Sequence, residues 1–255
     1  MSENERMSGA LVFVLLGLLV VVSPADATVI TVHSPIPSSY TMFGGTIDSV
    51  NRFLAVGAGG QVLVFDSTNG SLIRTFVSPK VQYSGDFGRS VEISGNLLVV
   101  GAPGETVNGL NTAGRVHIFN IQTGVLLDTL ASSNPEGEGN FGRAIDAADG
   151  LLAVGAPFET VNGVEAGRVH IFDLRTGTET MTLATPNPVA EKGLFGAFGA
   201  TINIAEGRIV IGAPGENHAS GRVYVFDTNG LPAQHVCFAE LPTCQLLRIF
   251  CRCHG

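Results

Sequence analysis

A fourfold repetition constrains this chain more than any other feature. Phe-Gly pairs stand at Phe43-Gly44, Phe87-Gly88, Phe141-Gly142 and Phe198-Gly199, and a Gly-Ala pair begins fourteen positions after each Phe, at Gly57, Gly101, Gly155 and Gly212. A third element, Gly-x-Val-x-x-Phe, starts at Gly60, Gly114, Gly167 and Gly221, spaced by 54, 53 and 54 residues. A turn sequence follows each time: DSTNG, NIQTG, DLRTG and DTNG. Self-similarity at a fixed period means that one structural unit is stacked several times. The units lie near residues 40–80, 81–134, 135–188 and 189–230.

Each unit reads as four short strands. The first alternates polar and apolar residues, as in SVEIS and ATINI, the mark of a half-buried strand. The second is a continuous apolar run, LLVVGA or RIVIGA, as expected for a strand covered on both faces. SGN, ADG and AEG between them suit tight hairpin turns. RVHIF and its equivalents supply the third strand, and SLIRTF, VLLDTL and TETMTL the fourth. No helical pattern emerges. The reading is therefore an all-β chain, a β-propeller of four-stranded antiparallel blades with about four units, as a small ring or a partial propeller. In this setting a Phe at the start of the inner strand fills the space between adjacent blades. Gly57 and its equivalents let backbones approach closely, and Pro103, Pro157 and Pro214 end the second strand because proline cannot donate to a ladder.

FG, then GAP, then GRVxxF resembles the FG-GAP repeat, the blade unit of the integrin α-chain propeller and of many secreted bacterial and archaeal propellers, over about residues 40–230. The resemblance implies a propeller that works outside the cell in binding or adhesion. Calcium-binding members of that family carry an Asp-x-Asp/Asn-x-Asp-Gly type loop between the first two strands, which supplies closely spaced oxygens. Here the short turns replace it, and only Asp146, Asp149 and Gly150 approach the pattern. No cofactor is expected. Integrin-like propellers have seven blades, whereas this chain has room for four.

The ends differ from the repeats. The apolar run at residues 10–22 followed by SPADA predicts a signal peptide over 1–27 with an Ala-x-Ala cleavage site. Thirteen apolar residues fall short of the roughly 20 needed to span a bilayer, so no membrane span is expected after cleavage, and the location is secreted, cell-surface or periplasmic. The segment ATVITVHSP resembles a fourth strand, and it is expected to pair with the third strand of the last unit around Val223 to Phe226, building one blade from both ends of the chain. All four cysteines, Cys237, Cys244, Cys251 and Cys253, lie in the atypical tail 231–255, so the repeats fold without disulfides.

Several columns recur across units. Glu105, Glu159 and Glu216 stand two residues after the Pro of GAP, and Arg115, Arg168 and Arg222 open the third strand; unit one, reading GAGGQVLVF, lacks both. That joint absence favours pairing across a hairpin or blade boundary, with a ring of ligand contacts as the functional alternative. Asp48, Glu92, Asp146 and Asn203 share one register on the inner strand and are read as solvated channel residues. His117 and His170 stand where other units have Leu63 and Tyr224, which points to packing. The candidate binding residues are Glu105, Asn108, Glu159, Asn162, Glu216 and Asn217, on the loops between strands two and three, because recognition concentrates in loops on a rigid scaffold. A net charge of -8 excludes a nucleic-acid partner. No nucleophile elbow, metalloprotease motif or phosphate loop is present. The function read from the sequence is a non-enzymatic binding or adhesion module for protein or carbohydrate, with a propeller hydrolase or lyase, or an inactive fragment, as alternatives.

Overall fold

The computed structural model describes residues 12–15, 18–22, 28–35, 42–80, 85–186, 188 and 196–232, without the side chains of residues 12–28 and 217. Unit one contributes β4 (Ile47–Val50), β5 (Phe53–Ala58), β6 (Gln61–Asp66) and β7 (Leu72–Val77). Unit two contributes β8 (Ser90–Ser94), β9 (Leu97–Ala102), β10 (Arg115–Asn120) and β11 (Leu126–Leu130). Unit three has β12 (Ala144–Ala148), β13 (Leu151–Ala156), β16 (Arg168–Asp173) and β17 (Thr178–Ala184), with the two-residue strands β14 (Thr160–Val161) and β15 (Val164–Glu165) in its long loop. Unit four shows β18 (Thr201–Ala205), β19 (Arg208–Ala213) and β20 (Arg222–Asp227). Units one to three are four-stranded antiparallel sheets in sequence order, and unit four is three-stranded among the described residues. Pro232 bridges Phe226, and the residues that follow it, the four cysteines among them, lie outside the described residues.

Local chemistry explains these boundaries. Asp149-Gly150 and Glu206-Gly207 both hold positive φ at both positions, the two-residue turn whose twist matches antiparallel strands. β9, β13 and β19 each stop one residue before a proline. The ladder between third and fourth strands shifts at the same place in units one to three, at Val64/Phe65, Ile118/Phe119 and Ile171/Phe172. A bulge repeated there increases local twist.

The core is divided among the spaces between sheets. One cluster joins Val62, Val64 and Phe76 of unit one to Phe87, Leu98 and Val100 of unit two. The next two join units two and three, and units three and four, in the same way. Inner strands pack in series, β4 on β8, β8 on β12 and β12 on β18, and among the described residues no packing of comparable extent returns from β18 to β4. The four described sheets form an open arc.

Two expectations are corrected. Residues 28–32 do form a strand, β3 (Thr28–Val32), but it pairs with β2 (Leu18–Val22), which pairs with β1 (Val12–Leu15), and not with β20. Closing the short loop to β2 costs far less chain entropy than reaching a strand near residue 223. Val32 packs on Val56, Leu63 and Phe65 of unit one, so this sheet lies against the first unit. The second correction is a single helical turn, α1 (Glu216–Ala219), in the third GAP loop. No described helix is long and apolar enough to cross a membrane.

Candidate functional site

The Phe-Gly and Gly-Ala pairs are two halves of a joint. Within each unit the Phe-Gly glycine donates its N–H to the Gly-Ala glycine carbonyl, from Gly88 to Gly101 at 3.0 Å, Gly142 to Gly155 at 3.0 Å and Gly199 to Gly212 at 3.1 Å. This bond sets the constant fourteen-residue spacing. Between units, the Phe-Gly carbonyl presses on the preceding unit's Gly-Ala pair: a Cβ on Gly101 would stand 2.1 Å from the Gly142 oxygen, and one on Gly155 would stand 2.1 Å from the Gly199 oxygen. Only glycine admits so close an approach. The hydroxyls of Thr46 and Ser90 donate to the same carbonyls, Gly88 and Gly142, at 2.8 Å. Phe87, Phe141 and Phe198 are almost wholly buried and meet the third-strand Phe119, Phe172 and Phe226 edge to face.

A polar network straps each joint. Glu105, Glu159 and Glu216 are buried at 4, 0 and 7% exposure, so they do not present a ring of carboxylates to solvent. Both Glu105 oxygens lie 3.1 Å from His117 Nε2, while Ser78 of the preceding unit donates to Glu105 at 2.6 Å. Glu159 stands 2.9 Å from His170 Nε2, and the other ring nitrogen lies 2.8 Å from Glu179. In unit four Tyr224 donates its hydroxyl to Glu216, and Thr185 of unit three donates to Tyr224 at 3.2 Å. The arginines stand farther off, at 3.6, 4.0 and 3.9 Å from the same carboxylates.

The histidines are therefore more than packing. They are the close partners of the glutamates, and unit one replaces the whole set by Leu63 and a Gly59-Gly60 turn. Sequence comparison within the chain carried this signal in the joint presence of Glu, a His or Tyr, and a Gly two residues before the Phe, at Gly85, Gly139 and Gly196. That glycine is needed because the Glu side chain lies beneath it: a Cβ on Gly85 or Gly139 would meet the Cγ of Glu105 or Glu159 at 2.4 or 3.0 Å.

Burial opposes a charge on His170, but hydrogen bonds to Glu159 and Glu179 and their negative charge outweigh it and push its pKa up to about 9. Burial works the other way on Glu179, yet His170 and Thr182 hold it down at about 2. Glu105 is likewise lowered, hydrogen bonds from His117 and Ser78 overcoming its burial. Ser132, His170 and Glu179 have the composition of a hydrolytic triad, but Ser132 Oγ is 3.5 Å from Nε2, which Glu159 occupies at 2.9 Å. A protonated, 1% exposed imidazole has no lone pair for a serine proton and no access to substrate. The set is a buried ion cluster, not a nucleophile with its base.

The inner-strand column behaves differently. Asp48 accepts the N–H of Ile93 in the next unit at 2.6 Å, and Asp146 accepts that of Ile204, so these carboxylates stitch neighbouring inner strands. Glu92 has no such partner among the described residues. Burial, with the like charges of Asp48 and Asp146, pushes it up to about 8. Asn203 is exposed. Among the described residues no group of three or more His, Cys, Asp or Glu side chains is placed to hold a metal.

The surface loops between second and third strands are pinned at their necks, where Gly114, Gly167 and Gly221 donate to the carbonyls of Glu105, Glu159 and Glu216 at 2.9 Å. Asn108 and Asn162 are exposed, at φ 51° and 54°, each followed by a Gly of positive φ in a tight hairpin tip. Asn217 lies in α1 and its side chain is outside the description. Between the loops of units two and three is a cavity of about 390 Å³, lined by Thr112, Glu138, Asn140, Phe158 and Glu165. The backbone N–H of Asn140 donates to the Thr112 carbonyl at 3.0 Å and that of Glu138 to the Asn111 carbonyl at 2.8 Å, which locks the linker of unit three to the loop of unit two. A second cavity of about 350 Å³ between units one and two is lined by Arg89, Arg143 and the Gly59-Gly60 turn, among others.

The FG-GAP repeat family matches residues 81–119, covering the Phe-Gly pair, β8, β9, the long loop and most of β10 of unit two. A search of the curated proteins finds no match. The chain carries an FG-GAP repeat in an all-β, propeller-like fold.

Proposed function

We propose that this chain is an exported, non-enzymatic binding module that seats a carbohydrate segment in the cavity between the loops of units two and three. One observation carries the reading. Thr112 and Glu138 line this cavity with φ of 54° and 65°; the positive φ of Asn140, 57°, recurs before the other Phe-Gly pairs, at Met42, Asp86 and Ala197, and belongs to that turn. Left-handed conformations in non-glycine residues cost on the order of 1–3 kcal/mol each, persist only where their surroundings hold them, and gather at ligand clamps; a β-branched residue there is a genuine outlier. The wall supplies carboxylate and amide groups in Glu138, Glu165 and Asn140 beside the apolar side chain of Phe158, which suits a sugar ring whose hydroxyls are hydrogen-bonded. Export is supported by the apolar run and Ala-x-Ala signal ahead of residue 28.

The test is a glycan array and a protein array probed in parallel with the purified protein, followed by titration of the hit. A glycan hit weakened at least about tenfold by Phe158→Ala and by Glu165→Gln, with no turnover, is the expected result. A protein hit with no glycan hit moves the ligand class. Turnover of the bound molecule sinks the non-enzymatic reading.

A further inference from the structure

The joint described above is made three times inside the chain, and its two halves are also left unfilled at the ends of the arc. The accepting half consists of a Gly-Ala glycine, a hydroxyl beside it and the Val of Gly-x-Val. In units one to three this Val, at 62, 116 and 169, is 0% exposed, because the next unit's Phe-Gly pair lies on it. In unit four Val223 is 69% exposed, and the nearest described atoms to a Cβ on Gly212 all belong to its own unit's Thr201. The donating half is the Phe-Gly turn with the first inner-strand residue. Gly88, Gly142 and Gly199 each abut a carbonyl of the preceding unit. Gly44 already has the required φ of 87° and its bond to Gly57, yet nothing among the described residues lies within 4 Å of a Cβ placed on it. Beside it Ile47 is 66% exposed, against 8% for its counterpart Val91. Val32 of β3 packs with Phe43 against the cluster that contains Phe65, while Ile47 stays exposed.

We infer that a second copy of this chain docks head to tail, seating the Gly44–Ile47 strip of its first unit on Gly212 and Val223 of the fourth unit. Both halves are preformed, so association orders little additional chain, and the contact repeats chemistry that this backbone already satisfies at three places. The interface is heterologous: each copy offers one donor and one acceptor face, so association continues beyond two copies unless the arc closes on itself.

Sedimentation of the full chain over a range of concentrations tests this, with two surface variants that leave the internal joints untouched. The unmodified protein is expected to gain mass with concentration. Ile47→Glu and Val223→Glu should each remain monomeric alone, while their equimolar mixture, which retains one intact donor and one intact acceptor, should sediment as a dimer of twice the monomer mass and grow no further. A face that meets its own copy would be lost in one variant only, or in both without recovery on mixing. That result, or a monomeric unmodified protein at every concentration, overturns the inference.

Discussion

Units one and three enclose different interiors in the same four strands. In unit one the third strand carries Leu63, 3% exposed, above a tight Gly59-Gly60 turn. In unit three the corresponding position is His170, 1% exposed, held between Glu159 and Glu179 beneath a long loop. Both sheets have the same register, the same third-to-fourth strand bulge and the same glycine joint. The ion cluster is thus not needed to make a blade. It fastens the loop and the preceding unit's chain to the blade, and a unit without the loop can dispense with it.

The largest expected effect comes from breaking the cluster unevenly. His170→Leu alone leaves Glu159 buried without its partner, and urea unfolding at pH 7 should show a loss of about 3–5 kcal/mol. Adding Glu159→Gly, which approaches the composition of unit one, should recover most of that loss, because replacing both members of a buried pair is far cheaper than removing one. A double variant no more stable than the single one breaks the comparison.

Raising the pH should act on unit three and spare unit one. His170 is held at about 9 in the fold and titrates near 6.5 when unfolded. Its contribution is therefore complete below about pH 6.5 and is lost as pH rises through 9, by on the order of 3 kcal/mol. The same titration in the double variant carrying His170→Leu and Glu159→Gly should lack this step.

A smaller effect separates an internal joint from the open end. Gly155→Ala forces a Cβ against the backbone oxygen of Gly199 and should cost about 1–3 kcal/mol. Gly212→Ala meets the Thr201 hydroxyl, which can rotate, and its thermal midpoint should fall less. Equal losses would mean that the joint oxygen is not what excludes a side chain.

The smallest effect concerns a half-buried carboxyl with no opposite partner among the described residues. Glu92, pushed up to about 8 by burial and by Asp48 and Asp146, binds a proton on folding between about pH 4.5 and 8, so its contribution worsens as pH rises across that window. The shift corresponds to about 4 kcal/mol at pH 8 before solvent screening reduces it; Glu92→Gln, which leaves a polar amide in the same place, should recover only a fraction of it there and leave stability nearly unchanged at pH 4. A destabilised variant at pH 8 would show that the carboxylate has an attractive partner there.

Much of this architecture was legible from spacing. The strand limits, the Asp149-Gly150 and Glu206-Gly207 turns and the proline stops follow from local chemistry, so period and residue type suffice to place them. The surroundings of the candidate binding residues were less legible. Glu105, Glu159 and Glu216 occupy loop positions in the sequence, yet they turn inward, because His117, His170 and Tyr224 on the adjacent strand offer them partners. Thr112, Glu138 and Phe158 belong to no recurring column, and nothing but the approach of two loops brings them to one cavity.

The sequence by itself determined the unit: four strands, a Phe-Gly turn, a glycine fourteen residues on and a third strand opening on Gly-x-Val. These are backbone requirements, satisfied within a few residues and so written into each repeat. The tertiary structure decided what the units do to one another. Ser78 reaching Glu105, the Gly142 oxygen covering Gly101 and the exposure of Val223 depend on which sheet lies beside which. Periodicity reports which residues recur, whereas the stacking of neighbouring sheets determines which of them are buried, paired or left open.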